Sequence, residues 1–248
     1  MSTATTPAER IMWITGAGSG MGRATALAAS DRGWRVAVSG RRPEPLHALA
    51  AEIERAGGQA LALPLDVADA EQARAAHDAI AARWGAVTDL VYAAGLNAPR
   101  RYWRDQVMDE FAAIVETNLT AVARFTGLVL DGMRDRGEGT VVVVSSYSGW
   151  QFQPDAGVAY SASKTAVSAL CRTLNAQEGV HGIRASNVCP GDVDTDFLRM
   201  RPTVPDAAAR TVMLAPDDVA EAILFIVGAP PHVRIDELVL APTGIERR

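Results

Sequence analysis

Short, continuously apolar, β-rich runs alternate with longer Ala-rich segments of helical period, and this alternation restricts the fold more than any single motif does. The runs are IMWIT (11–15), RVAVSG (35–40), ALALPLDV (60–67), TDLVYAAG (88–95), TVVVVSS (140–146), IRASNVCPG (183–191) and DELVLAP (236–242). A strand with one wet face alternates apolar and polar residues, whereas a parallel strand covered on both faces does not. Between the runs lie helix-length segments such as RATALAASDRG, LHALAAEIERAGG and AEQARAAHDAIAARWG, several of which stop at Gly, a common helix C-terminal signal. Strand–helix alternation of this kind implies right-handed crossovers. The prediction is an α/β fold: one doubly wound, mostly parallel sheet of about seven strands with helices on both faces.

The chain's 248 residues show no composition break, internal repeat or low-complexity linker. One domain spanning 1–248 is therefore expected. Residues 192–214 interrupt the alternation with two prolines and mixed polarity, and form a candidate substrate lid. Residues 1–9 lack the apolar centre of a signal peptide and read as a flexible tail. No apolar run reaches the ~18 residues of a membrane span. The net charge of −5 offers no basic footprint, which argues against nucleic acid or an anionic membrane as partner. Two cysteines, Cys171 and Cys189, are too few for a disulfide framework and read as small apolar residues of a cytoplasmic protein.

Directly after the first apolar run comes Thr15-Gly16-Ala17-Gly18-Ser19-Gly20-Met21-Gly22. Between a strand and a helix, such glycines let backbone N–H groups approach a pyrophosphate at the helix N-terminus. A plain structural turn is the alternative. The usual acidic residue about 20 positions on, which holds a ribose 2′-hydroxyl, is missing: the second run ends Ser39-Gly40-Arg41-Arg42. Two guanidinium groups suit a 2′-phosphate, so NADP(H) is favoured over NAD(H), with a solvated basic turn as the rival reading.

The chain carries 24 basic residues, of which 23 are Arg and one is Lys164. Lys164 lies four residues after Tyr160, so the two share a helix face. A free tyrosine titrates near ~10, too high for ready proton exchange at neutral pH. A cation about 4 Å away, at an effective dielectric of ~20, is worth roughly 4 kcal/mol and favours the phenolate. Lysine offers a compact charge with three donors, while arginine is planar and bulkier. A surface pair is the bland alternative. Ser146 ends the fifth run, at the sheet edge where open α/β folds bind ligands. Asn118 falls inside a long helical stretch, where a buried amide needs partners.

These motifs, with Tyr92-Ala93-Ala94-Gly95 and Pro190-Gly191-Asp192-Val193-Asp194-Thr195, stand in the order of short-chain dehydrogenase/reductases, which the chain resembles over nearly its whole length. The resemblance implies a Rossmann-type fold and a catalytic tetrad of Asn118, Ser146, Tyr160 and Lys164. In it Tyr160 is the general acid/base and Ser146 positions the carbonyl or hydroxyl. Lys164 binds the nicotinamide ribose and tunes Tyr160, and Asn118 holds a water linking Lys164 to solvent. It places Gly16, Ser19, Gly20, Met21 and Gly22 on the pyrophosphate, Asp66 and Val67 near the adenine, and Ala93, Ala94 and Gly95 along the cofactor. Pro190, Gly191, Val193 and Thr195 would meet the nicotinamide carboxamide and pyrophosphate. A homotetramer or dimer is also implied.

Three departures stand out. Tyr92-Ala93-Ala94-Gly95 replaces the usual Asn-Asn-Ala-Gly. The stretch from Ser146 to Tyr160 is one residue longer than the commonest spacing, which leaves Ser145 and Ser148 as alternatives to Ser146. The ending VRIDELVLAPT lacks a Gly-rich Val-Asp-Gly-Gly and is similar to NADP-dependent 3-hydroxy acid and serine-type dehydrogenases. Among other residues, Trp150 and Phe152 wall the substrate pocket or simply pack. Arg199 and Arg201 read more readily as solvated loop charges than as a carboxylate clamp. His47, His77, His181 and His232 show no metal-ligand spacing. The expected activity is hydride transfer between NADP(H) and a carbonyl/alcohol pair. The alternatives are a non-catalytic NADPH-binding regulator and an NAD-linked alcohol dehydrogenase.

Overall fold

The structure, a computed structural model, describes residues 10–243; the tail expected over 1–9 lies outside the described residues. All seven apolar runs form strands: β1 (Ile11–Thr15), β2 (Arg35–Gly40), β3 (Gln59–Pro64), β4 (Asp89–Tyr92), β5 (Gly139–Val144), β6 (Ile183–Pro190) and β7 (Glu237–Leu240). They pair in the order β3-β2-β1-β4-β5-β6-β7, and every pairing is parallel. This is a Rossmann-type doubly wound α/β sheet. Its order reverses between β1 and β4, which opens a crevice at the carboxyl ends of these two strands. Thr15 stands opposite both Ser39 and Tyr92.

Several runs outlast their strands. Leu65–Val67, Ala93–Gly95 and Ser145–Ser146 leave the sheet at its carboxyl edge. Leu65, Val67 and Ala94 stay apolar because they pack into one core cluster, a need that a strand pattern cannot distinguish from pleated pairing. Every residue of β1 and β5 is buried, while β3 and β7, at the sheet edges, are only partly covered.

Successive strand residues face opposite layers. Met12, Ile14, Val36 and Val38 face α1 (Gly20–Asp31), α2 (Pro43–Arg55) and α9 (Pro216–Val227), meeting Ala26, Leu49, Ile53 and Ile223. Trp13, Leu90, Val141 and Val143 face α3 (Ala70–Trp84), α5 (Ala121–Arg136) and α7 (Val158–Glu178), meeting Ile80, Phe125 and Val167. Trp13 is fully buried, its ring 4.7 Å from that of Phe125, and its Nε1 donates to Ser39 Oγ at 2.9 Å. Burying a tryptophan leaves its N–H in need of such a partner.

The remaining helices are α4 (Met108–Val115), α6 (Tyr147–Trp150) and α8 (Ala207–Arg210). α4 and α5 are joined by a π-turn over Glu116–Thr120. The continuous stretch Met108–Arg136 is 29 residues long with a window of mean hydropathy 1.3, of which 39% is buried inside the fold. By length and composition it is apolar enough to cross a membrane, which corrects the expectation that no such segment exists. It carries the Glu116–Arg124 ion pair and packs Phe125 and Met133 into the core.

Candidate active site

The glycine loop follows β1 directly and is shaped by contacts that only glycine tolerates. Gly16 has φ +67, and a Cβ there would come within 2.8 Å of the Ala93 carbonyl. A Cβ at Gly22 would lie 2.6 Å from the Gly16 oxygen. Thr15 Oγ1 accepts hydrogen bonds from the backbone N–H groups of Ala93 and Ala94, both at 3.2 Å. The loops after β1 and β4 are thereby fixed to each other. Ser19 precedes α1 in extended conformation without a side-chain cap, and leaves the helix N-terminal N–H groups to a ligand. Gly20 has φ +53, and a Cβ there would approach Thr195 Cγ2 to 3.0 Å, so Thr195 closes over the loop from the opposite side.

Arg41 and Arg42 follow β2, exposed, and neither makes an ion pair or side-chain hydrogen bond among the described residues. Asp66 Oδ1 accepts from Ala68 N–H at 3.0 Å, and the buried Val67 offers its carbonyl to Arg124 Nη1 at 2.9 Å. The glycine cradle, the uncapped helix end and the free guanidinium pair together fit a dinucleotide with a 2′-phosphate.

Beside the loop lies a cavity of about 540 Å³. Met21, Ser146, Tyr160, Gly191, Val193 and Thr195 line it, with Phe197 standing 6.0 Å from the Tyr160 ring. Ser146 caps α6, its Oγ accepting from Ser148 N–H at 3.1 Å. Ser145 is turned inward instead: it is buried and donates to the Lys164 carbonyl at 2.9 Å. Ser145, Ser146 and Ser148, the three serines that spacing left open, all line the cavity; Ser146 bears on the Tyr160 phenol, while the Ser145 hydroxyl ties α7 to β5.

Asn118 is fully buried in the π-turn, a geometry frequent at functional sites. Its Oδ1 accepts from Leu96 N–H at 2.8 Å, and its Nδ2 donates to the Leu96 carbonyl at 2.9 Å and to Ser163 Oγ at 3.2 Å. Both amide hydrogens are committed, so one Oδ1 lone pair remains for the role that the resemblance implies. A Cβ at Gly95 would lie 3.8 Å from both Asn118 Oδ1 and Lys164 Nζ, so this glycine keeps the space between them open.

Lys164 is buried, and its Nζ donates to the Val144 carbonyl at 2.8 Å. The ammonium stands 5.9 Å from the centroid of the Tyr160 ring. Burial disfavours its charge and pulls its pKa down to about 8. Tyr160 is held above its ordinary value, chiefly by burial, and Asp192 adds to that. The Ser146 hydroxyl, Arg201 and Arg101 pull the other way without overcoming it. Lys164 is not among the groups that bear most on the Tyr160 phenol in this structure. The ammonium is directed at a carbonyl, and the cations acting on the phenol are arginines from other loops.

Residues 10–204 match the short chain dehydrogenase family. The chain belongs to that family. This short-chain dehydrogenase is 33% identical over 239 residues to a sulfoacetaldehyde reductase of Chromohalobacter salexigens, covering 94% of its own length and 93% of the relative's. It is 32% identical to a glycine betaine reductase of Emericella nidulans, again over 94% of its own length but only 19% of that much longer protein. Among solved structures, the alcohol dehydrogenase of Thermococcus sibiricus complexed with 5-hydroxy-NADP superposes with a TM-score of 0.86 at 29% identity, covering 96% of this chain and 99% of that one. Family membership makes the chain an oxidoreductase.

Elsewhere around the site of this dehydrogenase, the side chains depart from sequence expectation. Neither Trp150 nor Phe152 walls the pocket: Phe152 is 78% exposed, while the half-buried Trp150 packs edge-on against the ring of Tyr147, centroids 5.1 Å apart. Arg199 is an exposed partner of Asp196, as a solvated loop charge should be, but Arg201 lines the cavity, paired with Asp192 at 2.5 Å. Arg101, which the sequence did not single out, lines it too. Nothing in the run Arg100-Arg101-Tyr102 separates an inward arginine from an outward one. Segment 192–214 is closed at its base, where Leu214 N–H donates to Asp192 O and Asp194 N–H to Leu214 O, both at 2.9 Å. Cys171 and Cys189 are buried free thiols, and no group of three or more His, Cys, Asp or Glu among the described residues is arranged to hold a metal.

Proposed function

We propose that this short-chain dehydrogenase moves a hydride between NADP(H) and a carbonyl/alcohol substrate, with Tyr160 as general acid/base. The observation that carries this reading is the placement of Tyr160 and Ser146 on one cavity whose other boundary is the glycine loop and Thr195, with Lys164 and Asn118 buried behind. The nicotinamide, when bound, supplies or accepts the hydride. The residues of this chain supply the rest.

Ser146 donates its hydroxyl to the carbonyl oxygen and orients it toward Tyr160. The phenol, kept protonated by burial, gives its proton to the oxygen as negative charge develops there. Burial keeps the donor in its acid form at neutral pH, and the Ser146 hydroxyl, Arg201 and Arg101 offset part of the rise that would otherwise slow proton transfer. Lys164 holds the ribose diol with the donors that Val144 leaves free. Its pKa of about 8 lets it pass a proton toward Tyr160 at little cost. Asn118, fixed by Leu96 and Ser163, offers Oδ1 to the water that reconnects Lys164 to solvent.

The preference for NADP(H) rests on Arg41 and Arg42, which are exposed beyond β2 with no side-chain partner among the described residues. The Thermococcus relative was solved with an NADP derivative, which supports the same reading. A cytoplasmic location and a homotetrameric or dimeric assembly belong to this proposal as well. The test is an absorbance screen for NADPH and NADH consumption across ketones, aldehydes and oxo acids. Consumption of NADPH with at least one carbonyl class is expected. Cofactor binding without turnover on any of them would move the protein to the regulatory class.

A further inference from the structure

Four charged side chains are buried among the described residues: Asp89, Arg101, Lys164 and Glu178. Asp89 is paired with Arg10, and Glu178 with Arg134. Arg101 and Lys164 have no carboxylate within ion-pair distance, and both act at the same site. A buried charge without a counter-charge is costly, and such groups concentrate where a ligand completes them. Lys164 is accounted for by the cofactor. Arg101 is not.

Arg101 sits in the loop after β4, with 6% of its surface exposed, on the wall of the Tyr160 cavity. Its Nε donates to the Ala98 carbonyl at 2.8 Å, its Nη1 reaches the Ala156 carbonyl at 3.5 Å, and its Nη2 binds the Met200 carbonyl. Those bonds join three loops, but a neutral amide could donate to carbonyls without bringing a charge into the interior. Arg201 lines the same wall and gives one of its donors to Asp192. Guanidinium carries five N–H donors, so both arginines keep capacity for a ligand. The other carboxylate on the cavity, Asp155, lies on the exposed rim, held by Tyr102 OH at 3.4 Å. Arg201 and Arg101 both bear on the Tyr160 phenol with a positive field that exceeds the opposing effect of Asp192.

We propose that Arg101, with Arg201 beside it, binds an anionic group on the substrate, so that the preferred substrate is a carbonyl compound or alcohol bearing a carboxylate or sulfonate. This rests on the hydride-transfer reading and adds the substrate class to it. The arginines form the end of the cavity that holds the anion, and Ser146 and Tyr160 form the end that holds the reacting oxygen.

The test compares succinate semialdehyde with its methyl ester, and acetoacetate with its methyl ester, each pair sharing one carbonyl and differing in charge. The free acids are expected to have the higher kcat/KM by about tenfold or more, as a charge-assisted hydrogen bond provides. In Arg101→Gln and Arg201→Gln, the ratio of acid to ester should fall by about the same factor, through KM rather than kcat. If Arg101→Gln fails to fold, Arg201→Gln carries the comparison. Equal turnover of acid and ester by the wild-type protein overturns the anion site and leaves hydride transfer standing. If neither member of either pair is consumed with NADPH or NADH, hydride transfer on these carbonyls fails, and calorimetric titration decides the anion site alone. Saturable succinate binding that Arg201→Gln weakens supports it, and no succinate binding overturns it.

Discussion

The Tyr92 hydroxyl donates to the Thr117 carbonyl at 2.7 Å, one residue before Asn118 in the π-turn. Tyr92 is fully buried at the end of β4 and replaces the first asparagine of the motif usual in the family. Burial pushes its phenol well above the ordinary range, so it remains a donor at every working pH. The bond fixes the turn that presents Asn118 to Leu96 and Ser163. Tyr92→Phe should therefore lower stability by about 1–2 kcal/mol in urea unfolding. Turnover should fall while the KM for NADPH stays near that of wild type. Unchanged kcat would show that Leu96 and Ser163 hold Asn118 unaided.

Tyr160→Phe removes the proton donor and keeps the ring that packs 6.0 Å from Phe197. Carbonyl reduction should drop by a factor of about 10² to 10⁴, the usual contribution of general acid catalysis. Cofactor affinity, measured by quenching of protein fluorescence, should change little. Retained turnover would remove Tyr160 from the mechanism.

Lys164 couples activity to stability. Its pKa falls from 10.5 to about 8 on burial, so between these pH values the folded protein binds fewer protons than the unfolded chain. Stability of the wild-type protein should rise with pH across that window, because the charged form is disfavoured only when folded. Below pH 8 the full cost of holding the ammonium remains, on the order of 3 kcal/mol. Lys164→Met should abolish turnover yet raise the melting temperature at pH 7, with the gain disappearing above pH 10.5. Wild-type reductive kcat/KM should fall as pH rises through about 8, where the ribose-binding ammonium is lost. A flat profile there would show that the charge of Lys164 is dispensable.

Among the described residues the Arg41 and Arg42 side chains make no ion pair or hydrogen bond, so substitution should report on cofactor choice alone. Arg41→Ala and Arg42→Ala should each weaken NADPH binding about tenfold or more and leave NADH binding nearly unchanged. Equal loss for both cofactors would assign the pair to the pyrophosphate or the adenine. No loss for either would make it a solvated turn.

The sequence determined the seven strands, the two-sided burial of the central ones and the glycine loop, because continuous apolar runs and obligatory small residues are local signals; the partial cover of the edge strands β3 and β7 was not visible in it. It also placed Ser146, Tyr160, Lys164 and Asn118 in one family order. Which serine hydroxyl is spent on the Lys164 carbonyl was left to the turn into α6: Ser145, Ser146 and Ser148 all line the cavity, and only Ser145 makes that bond among them. Strand ends were misread for a related reason: Leu65, Val67 and Ala94 are apolar because they pack into the core beyond the last paired residues.

Only the tertiary structure decided the electrostatics. Lys164 shares a helix face with Tyr160 and bonds the Val144 carbonyl, while Arg101 and Arg201, from two distant loops, line the same cavity as the phenol. Arg101 and the exposed Arg100 are adjacent and chemically identical, and only one is buried. Period and spacing report which residues line one element. Burial and the sum of charges at a point depend on every element packed there, and no local pattern carries that sum.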